Sequence, residues 1–174
     1  VAVWDGKHSS ETEIRQLFED TKGRVYDVED DLIGYWPLDN DADDYSGNGY
    51  DGVITTATPS EGHVGGAYYF SGSDEITISD NLDEITTSDE FTVAAWFNAD
   101  SSGSGYRWIV ARGTAWGAGN LGIYLHTDGT IQASAYDVSG AQTISSSTNG
   151  WDDDNWHHVV YSYDGERAKL HVDG

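Results

Sequence analysis

Short segments rich in β-branched and aromatic residues recur along most of this chain, and glycine, serine, asparagine and aspartate separate them at short intervals. Branched and aromatic side chains suit a pleated surface, and the small polar residues suit the turns between strands. The segments from residue 67 onward that are predicted to be strands are Ala67–Phe70, Glu75–Ser79, Phe91–Asn98, Arg107–Ala111, Leu121–His126, Thr130–Tyr136, Ala141–Ser145, Trp156–Tyr163 and Arg167–Val172. Many short strands with little helix predict an all-β sandwich.

The segment Phe91–Asn98 carries the strongest alternation. Its odd-numbered positions are Phe, Val, Ala and Phe, and its even-numbered positions are Thr, Ala, Trp and Asn. Successive side chains of a strand point to opposite faces, so both faces of this strand are largely apolar. The pattern predicts an internal strand that is covered on both sides. Asp128-Gly129 and Asp164-Gly165 lie between strand segments and are predicted to form hairpin turns.

The composition indicates a folded, highly acidic protein. Of the 174 residues, 37% are hydrophobic and 13% are aromatic, which is far more aromatic surface than a disordered acidic chain carries. The formal net charge is −23, and the only lysines are Lys7, Lys22 and Lys169. Self-repulsion of this size destabilises a compact state unless salt screens it. A protein adapted to a hypersaline medium is the favoured interpretation, and an ordinary acidic secreted domain is the alternative.

The same charge restricts the partners. Without a basic stripe, binding to a phosphate backbone is disfavoured, and so is binding to an anionic membrane surface. The sequence holds no cysteine, which excludes disulfides and thiol chemistry within it. No apolar run approaches the roughly 20 residues of a membrane-spanning helix, so no membrane insertion is expected.

Four segments resemble a known family. They are the aromatic run Asp31–Asp39, the glycine-punctuated turn Asp44–Gly52, the segment Trp156–Gly165 that begins Trp-His-His-Val-Val, and the closing Lys169–Gly174. In this order they resemble a laminin-G-like jelly roll of the concanavalin A-like lectin/glucanase superfamily. The resemblance implies an antiparallel two-sheet jelly-roll sandwich. It also implies an extracellular protein of a cell surface or a virion, commonly one with several similar modules.

The two ends of the chain are interpreted from the same resemblance. Residues 1–20 contain a strand end and a capping box in which Ser10 precedes Glu13, and Ile14, Leu17 and Phe18 follow on one helical face. This strand and short N-terminal helix resemble the C-terminal tail of a preceding similar module. Residues 21–31 are interpreted as a linker. Residues 32–174 are interpreted as the jelly roll, truncated at its C-terminal end.

One acidic turn is a candidate calcium site. Asp44, Ser46 and Asn48 alternate, Gly49 occupies the sixth place, and Asp51 lies close by, so the first half of the turn is similar to a calcium loop. The twelfth place holds Thr55 instead of glutamate, which excludes an EF-hand. The competing interpretation is an ordinary turn in which Asp and Asn side chains bond the local backbone. The predicted ligands of a structural calcium are Asp44, Ser46, Asn48 and Asp51.

Aromatic residues beside loops are candidates for sugar binding, because exposed rings stack on sugars while polar groups fix the hydroxyls. The predicted ligand-binding residues are Tyr106, Trp108, Trp116 and Tyr136. Alternatively, Trp108 belongs to the core and Trp116 anchors its loop. His157 and His158 should face opposite sides of one strand and cannot share a metal. The acidic loop Trp151–Asn155 is interpreted as a solvated loop in preference to a weak cation site.

No enzymatic activity is expected. The glucanase branch of the superfamily needs a strand with Glu-x-Asp-x-x-Glu, which holds two carboxylates about 5 Å apart in a retaining enzyme. No such run occurs, and the acidic strand Asp74–Asp80 has a different spacing. The sequence also lacks a Gly-x-Ser-x-Gly elbow and a phosphate-binding loop.

The favoured function is non-catalytic recognition of a surface glycan or glycoprotein, in an adhesin or a virus tail fibre of a halophile. Neighbouring modules of the same chain or further copies of it would be additional partners. One alternative is a structural spacer or filament module without a ligand of its own. Another is an accessory binding domain of a hydrolase whose catalytic part lies elsewhere. For the core, the residues predicted to be largely buried are Trp36, Phe70, Phe91, Val93, Trp156, Val159 and Tyr161.

Overall fold

The computed structural model describes residues 1–5, 32–79, 82, 90–113, 120–137 and 140–174. Within these ranges every regular element is a strand. The strands are β1 (Ala2–Asp5), β2 (Leu32–Tyr35), β3 (Gly52–Thr55), β4 (Thr58–Glu61), β5 (Gly66–Tyr69), β6 (Glu75–Ile78), β7 (Phe91–Asn98), β8 (Arg107–Arg112), β9 (Leu121–Leu125), β10 (Ile131–Asp137), β11 (Gly140–Ser145), β12 (Trp156–Tyr163) and β13 (Ala168–Val172). The predicted helix over Ser10–Phe18 and the linker 21–31 lie outside the described residues.

Two antiparallel sheets form the body of the protein. The larger sheet has the order β13-β12-β7-β1-β2, and the smaller one has the order β11-β10-β9-β8. Two further pairs, β3-β6 and β4-β5, are separate two-stranded sheets. All these pairings are antiparallel. The predicted all-β, antiparallel two-sheet sandwich is confirmed.

The main core lies between the two large sheets. Odd-numbered residues of β7 and β12 meet odd-numbered residues of β9 and β10 there. The fully buried members of this core are Val93, Ile123, Leu125, Ile131, Ala133, Val159 and Tyr161. Burying one such branched or aromatic side chain contributes about 1.5–3 kcal/mol. The core therefore accounts for the strict alternation along these strands.

A second apolar cluster covers the other face of the larger sheet. It is made of Ala2, Trp4, Leu32, Ala94 and Val160. Strand β7 pairs with β12 on one side and with β1 on the other, so it is internal in the sheet as well as covered on both faces. This confirms the prediction for Phe91–Asn98.

Strand β1 lies inside the larger sheet. Ala2 pairs with Tyr35 of β2 on one side and with Ala94 of β7 on the other. Residues 2–5 therefore belong to the sandwich in this structure. That the segment 1–20 derives from a preceding module, and that the jelly roll is truncated, stay predictions.

One of the seven burial predictions is wrong. Trp36, Phe91, Val93, Val159 and Tyr161 are buried, but Phe70 is 47% exposed. Phe70 follows β5, and among the described strands β5 pairs with β4 alone, in a small sheet outside the main core. Trp156 is half-buried. It shares the outward parity of His158 and Val160 in β12, so it lies on the face away from the main core.

Candidate functional site

The outward face of the smaller sheet carries the best candidate site. On the inward face of β9, Leu121, Ile123 and Leu125 enter the main core. Strand alternation therefore directs Gly122 and Tyr124 away from that core. In β10, Ile131 and Ala133 point inward, so Gln132 and Ser134 lie on the same outward face as Tyr124.

A β-bulge in β8 sets the direction of Trp108. Trp108 pairs with Tyr124, and the next pair is Val110 with Ile123, so Ile109 is an extra residue in this strand. Ile109 and Val110 both pack against the main core. A bulge of this kind re-aims the side chains on either side of it. As a result Trp108 points outward, and its side chain is 47% exposed.

Trp108 lies flat enough on the sheet to contact Gly122. A Cβ atom added to Gly122 would collide with Cζ3 of the Trp108 indole. The indole also contacts the ring of Tyr124, with centroids 4.8 Å apart and planes at 54°. Gly122 therefore makes room for the Trp108 indole. The indole packs on Gly122 and Tyr124, and part of its surface is open to solvent.

Tyr106 extends this group toward the end of the sheet. Its ring is 56% exposed and meets the ring of Tyr124 edge-on at 5.6 Å and that of His126 at 5.2 Å. We call Tyr106, Trp108, Tyr124 and His126 the aromatic surface. Two of its rings are exposed and the other two support them.

Amide and hydroxyl groups adjoin the aromatic surface. The Tyr124 hydroxyl donates to Oε1 of Gln132 at 3.0 Å and lies 3.5 Å from Oγ of Ser134. Ser134 in turn is hydrogen-bonded to the Thr143 hydroxyl at 2.9 Å. Gln132 is half-buried and Thr143 is exposed. Rings beside oriented amide and hydroxyl groups are the combination that sugar recognition uses.

Arg107 anchors the start of β8 from the opposite face. Its Nη2 lies 3.1 Å from Oδ2 of Asp152, and its Nη1 donates to the Asp100 carbonyl at 2.5 Å. These bonds tie two loops to the residue between Tyr106 and Trp108. The guanidinium therefore positions the aromatic surface without lining it.

The turn between β9 and β10 is held by Asp128. Its Oδ1 accepts hydrogen bonds from the Thr130 hydroxyl and backbone N–H, and it lies 2.9 Å from Nδ1 of His126. These donors, the Thr130 hydroxyl first, lower the pKa of Asp128 to about 2. Gly129 follows with φ of +80°, as a hairpin turn requires. The turn predicted at Asp128-Gly129 is confirmed.

The predicted ligand-binding residues have different outcomes. Tyr106 and Trp108 lie together on one face, and neither is a core residue. Trp116 lies outside the described residues. Tyr136 lies in β10, where its backbone pairs with Ala141, and only its backbone is described.

Three residues of this face were not predicted as ligand-binding residues: Tyr124, His126 and Gln132. The alternation within β9 and β10 already directs Tyr124 and Gln132 outward, and His126 directly after β9 continues the parity of Tyr124. The sequence does not reveal the strand register, which places Tyr124 of β9 opposite Trp108 of β8 and Gln132 of β10.

The acidic turn predicted to hold calcium is organised around Asp44. Oδ1 of Asp44 accepts hydrogen bonds from the N–H groups of Tyr35 and Ser46, both at 2.9 Å. Oδ2 accepts from the Ser46 hydroxyl at 2.7 Å and from the Tyr50 N–H at 3.1 Å. Burial would raise the pKa of Asp44, but these hydrogen bonds outweigh it and the pKa lies below its ordinary value.

The other predicted calcium ligands bond the same turn. Asp51 accepts the N–H of Asp44 at 2.9 Å, and Nδ2 of Asn48 donates to the carbonyls of Leu32 and Ile33 at 2.9 Å. The four residues are thus brought together, and the interpretation as an ordinary turn explains their contacts. Over the described part of the chain, no group of three or more histidine, cysteine or acidic residues is arranged to hold a metal ion. Calcium at this turn stays a prediction.

His157 and His158 face opposite sides of β12, as expected. The His157 ring contacts Phe97 of the main core, whereas the His158 ring contacts Trp96 on the other face. His157 lies between two carboxylates, with Nδ1 2.8 Å from Asp173 and Nε2 3.0 Å from Asp153. Burial opposes its protonation, but the two carboxylates outweigh this and raise the pKa of His157. The histidine therefore ties the loop before β12 to the end of β13.

Three comparisons bear on identity, and one of them found a match. A laminin G domain model, described as the concanavalin A-like lectin/glucanases superfamily, matches residues 70–174. Searches of curated proteins and of solved structures found no match. The match includes β7 to β13 and so contains the whole aromatic surface. The described part of the chain contains no helical segment with the length and hydrophobicity of a membrane span.

Proposed function

Because the chain belongs to the concanavalin A-like lectin/glucanases superfamily, we propose that it is a non-catalytic recognition module that binds carbohydrate through the aromatic surface. The observation that carries the proposal is the exposed pair Tyr106 and Trp108, both packed on Tyr124, whose hydroxyl donates to the Gln132 amide on the next strand. The apolar face of a pyranose ring can stack on the indole while its hydroxyls bond the amide and the neighbouring hydroxyl groups. Neither ring has to move far, because Tyr124 and Gly122 already support them.

The absence of a catalytic run from the sequence supports binding over hydrolysis. A retaining glycosidase needs two free carboxyl groups about 5 Å apart on one surface. In the acidic segment Asp74–Asp80, the Asp74 carboxylate accepts hydrogen bonds from the Thr56 hydroxyl at 2.5 Å and from the Ser71 N–H at 2.8 Å. Asp74 therefore serves the turn before β6, and this arrangement favours a structural role for it.

The cellular context of the proposal comes from the sequence. A net charge of −23 and the family match favour an extracellular module of a halophile, in a surface adhesin or a virus tail fibre. The partner would then be a glycan or glycoprotein on a cell surface. A spacer module would have the same sandwich but would bind no glycan, so ligand screening separates the two functions.

A glycan array probed at about 1 M NaCl, where the screening length falls to about 3 Å, tests the proposal. We expect a defined subset of glycans to bind, and we expect Trp108→Ala to weaken that binding by about 10- to 100-fold, the loss typical of a central aromatic contact. Tyr106→Ala should weaken it less. Tyr45→Ala is the matched control, since Tyr45 is 57% exposed and lies in the Asp44 turn away from the aromatic surface. Equal binding by wild type and Trp108→Ala would contradict the proposal.

A further inference from the structure

We infer that His157 is a pH-sensitive clamp, which holds the loop 151–155 to the end of β13 only while its imidazole is doubly protonated. The clamp joins two segments on either side of the β12-β13 hairpin, since Asp153 precedes β12 and Asp173 follows β13. Oδ1 of Asp153 lies 3.0 Å from Nε2 of the ring, and Oδ2 of Asp173 lies 2.8 Å from Nδ1. Each ring nitrogen therefore faces a carboxylate oxygen.

The number of protons on the ring decides how many of these contacts are hydrogen bonds. An ionised carboxylate can only accept, whereas an imidazolium donates from both nitrogens and a neutral imidazole donates from one. In the neutral ring the other nitrogen carries a lone pair, which would face a carboxylate oxygen with no proton between them. Loss of the proton therefore turns one of the two hydrogen bonds of His157 into a repulsive contact.

Two carboxylates and two aromatic rings pack on His157. The rings are Phe97 of β7 and Trp151 of the loop, with centroids 5.7 Å and 4.9 Å from that of the imidazole. They leave the His157 side chain only 10% exposed. Water therefore has little access to the ring, and Asp153 and Asp173 supply its hydrogen-bond partners.

The clamp opens in the alkaline direction. Burial by itself would lower the pKa of His157, but the bonds to Asp173 and Asp153 outweigh it and raise the pKa above the ordinary value of 6.5. The stabilisation from this histidine is therefore complete below the ordinary value, which applies to the unfolded chain, and is lost as the pH rises through the folded pKa.

The structure indicates which carboxylate is released. Asp173 is fixed by the backbone of β12, because its Oδ1 accepts the His158 N–H at 2.9 Å and its own N–H donates to the His158 carbonyl at 2.9 Å. Asp153 is the more exposed of the two, at 46% against 34%, and also accepts the Asn155 N–H within its own loop. The neutral ring should keep its proton on Nδ1, facing Asp173, and Asp153 should turn to solvent.

The same loop carries two more charged groups, and one of them reaches the smaller sheet. Asp154 is exposed, whereas Oδ2 of Asp152 lies 3.1 Å from Nη2 of Arg107 at the start of β8. Because Asp152 is adjacent to Asp153, release of Asp153 moves the anchor of Arg107. The clamp thus couples pH to the strand that carries Tyr106's neighbour Arg107 beside the aromatic surface.

Nitrogen-15 NMR of the histidine rings between about pH 5 and about pH 9, in about 1 M NaCl, follows the protonation of both ring nitrogens. We expect His157 to titrate above 6.5 and to keep Nδ1 protonated at high pH. The Asp154 N–H, which donates to the Ala99 carbonyl at 3.0 Å, reports on the loop. Its protection factor against hydrogen exchange should fall about tenfold over the same titration, because opening then breaks one charge-assisted hydrogen bond fewer. The Arg107 amide should shift with the same midpoint.

Two carboxylate variants separate the clamp from the general effect of charge. Asp153→Asn should lower the pKa of His157 relative to wild type and remove the pH response of the loop. Asp154→Asn makes the same charge change one residue later, at an exposed position whose φ of +64° asparagine tolerates, and should leave the titration of His157 unchanged. His157→Gln does not titrate, so its loop should show the low protection at every pH.

Three results would overturn the clamp. The first is a wild-type His157 that titrates at or below 6.5. The second is an equal change of its titration in Asp153→Asn and Asp154→Asn. The third is loop protection that stays constant while His157 loses its proton. If His157→Gln fails to fold, the two aspartate variants still decide the question, because both substitutions lie at exposed positions.

Discussion

Asp44→Ala is expected to lower the free energy of unfolding by about 3–5 kcal/mol, which is a large share of the stability of a domain this size. The substitution removes the acceptor of four hydrogen bonds, three of them from the backbone N–H groups of Tyr35, Ser46 and Tyr50. Tyr35 lies in β2, so the damage reaches the larger sheet as well as the turn. Urea unfolding at constant high salt measures the loss.

Two matched variants check the cause. Asp43→Ala removes an exposed carboxylate from the same turn and should change stability by less than about 0.5 kcal/mol. Asp44→Asn keeps one acceptor oxygen but replaces the other with an amide NH2, which faces N–H and O–H donors. Its loss of stability should therefore lie between those of Asp43→Ala and Asp44→Ala. A small effect of Asp44→Ala would show that the turn does not depend on this carboxylate.

The Asp44 effect should also depend on pH. The pKa of Asp44 in the folded state lies below the ordinary value of 3.8. Its stabilisation is therefore complete above the unfolded pKa and is lost as the pH falls through the lower, folded pKa. The difference between wild type and Asp44→Ala should accordingly be constant at neutral pH and shrink in strong acid.

Raising NaCl from about 0.1 M to about 1 M is expected to stabilise the protein by about 3 kcal/mol, or roughly 10 °C in melting temperature. The reason is the net charge of −23, whose self-repulsion is screened as the Debye length falls. Many of the carboxylates are solvent-exposed, including Asp43, Asp51, Asp100 and Asp154. Salt therefore reaches the charges that repel one another.

Calorimetric scans over a NaCl series measure this effect, and potassium chloride serves as the control because it screens equally. The two salts should give the same curve if screening is the cause. A melting temperature that does not change between low and molar salt would contradict the adaptation to high salt that the composition predicts.

Local patterns predicted much of the fold. The alternation in Phe91–Asn98 predicted an internal strand, and the Asp-Gly pairs predicted hairpin turns, because both depend on neighbouring residues alone. The exposure of Phe70 was missed, since it depends on β5 joining a small separate sheet.

The candidate site was only partly predictable for a similar reason. Tyr106 and Trp108 stand out as aromatic residues beside a glycine-rich stretch. Their supports, Tyr124 and Gly122, join them only through the pairing of β8 with β9 and the extra residue at Ile109. The role of Asp44 likewise depends on the approach of Tyr35, which the local calcium-like spacing does not reveal.

The most direct measurement of the central claim is NMR of the nitrogen-15-labelled protein, titrated in high salt with a neutral oligosaccharide that binds on the array. The Trp108 indole N–H and the Gln132 side-chain amide should shift with the ligand. The Trp36 indole N–H, which donates to the Tyr50 carbonyl at 2.8 Å under the Asp44 turn, should remain unchanged. Shifts centred on Trp36 and the Asp44 turn, with Trp108 and Gln132 unaffected, would contradict binding at the aromatic surface.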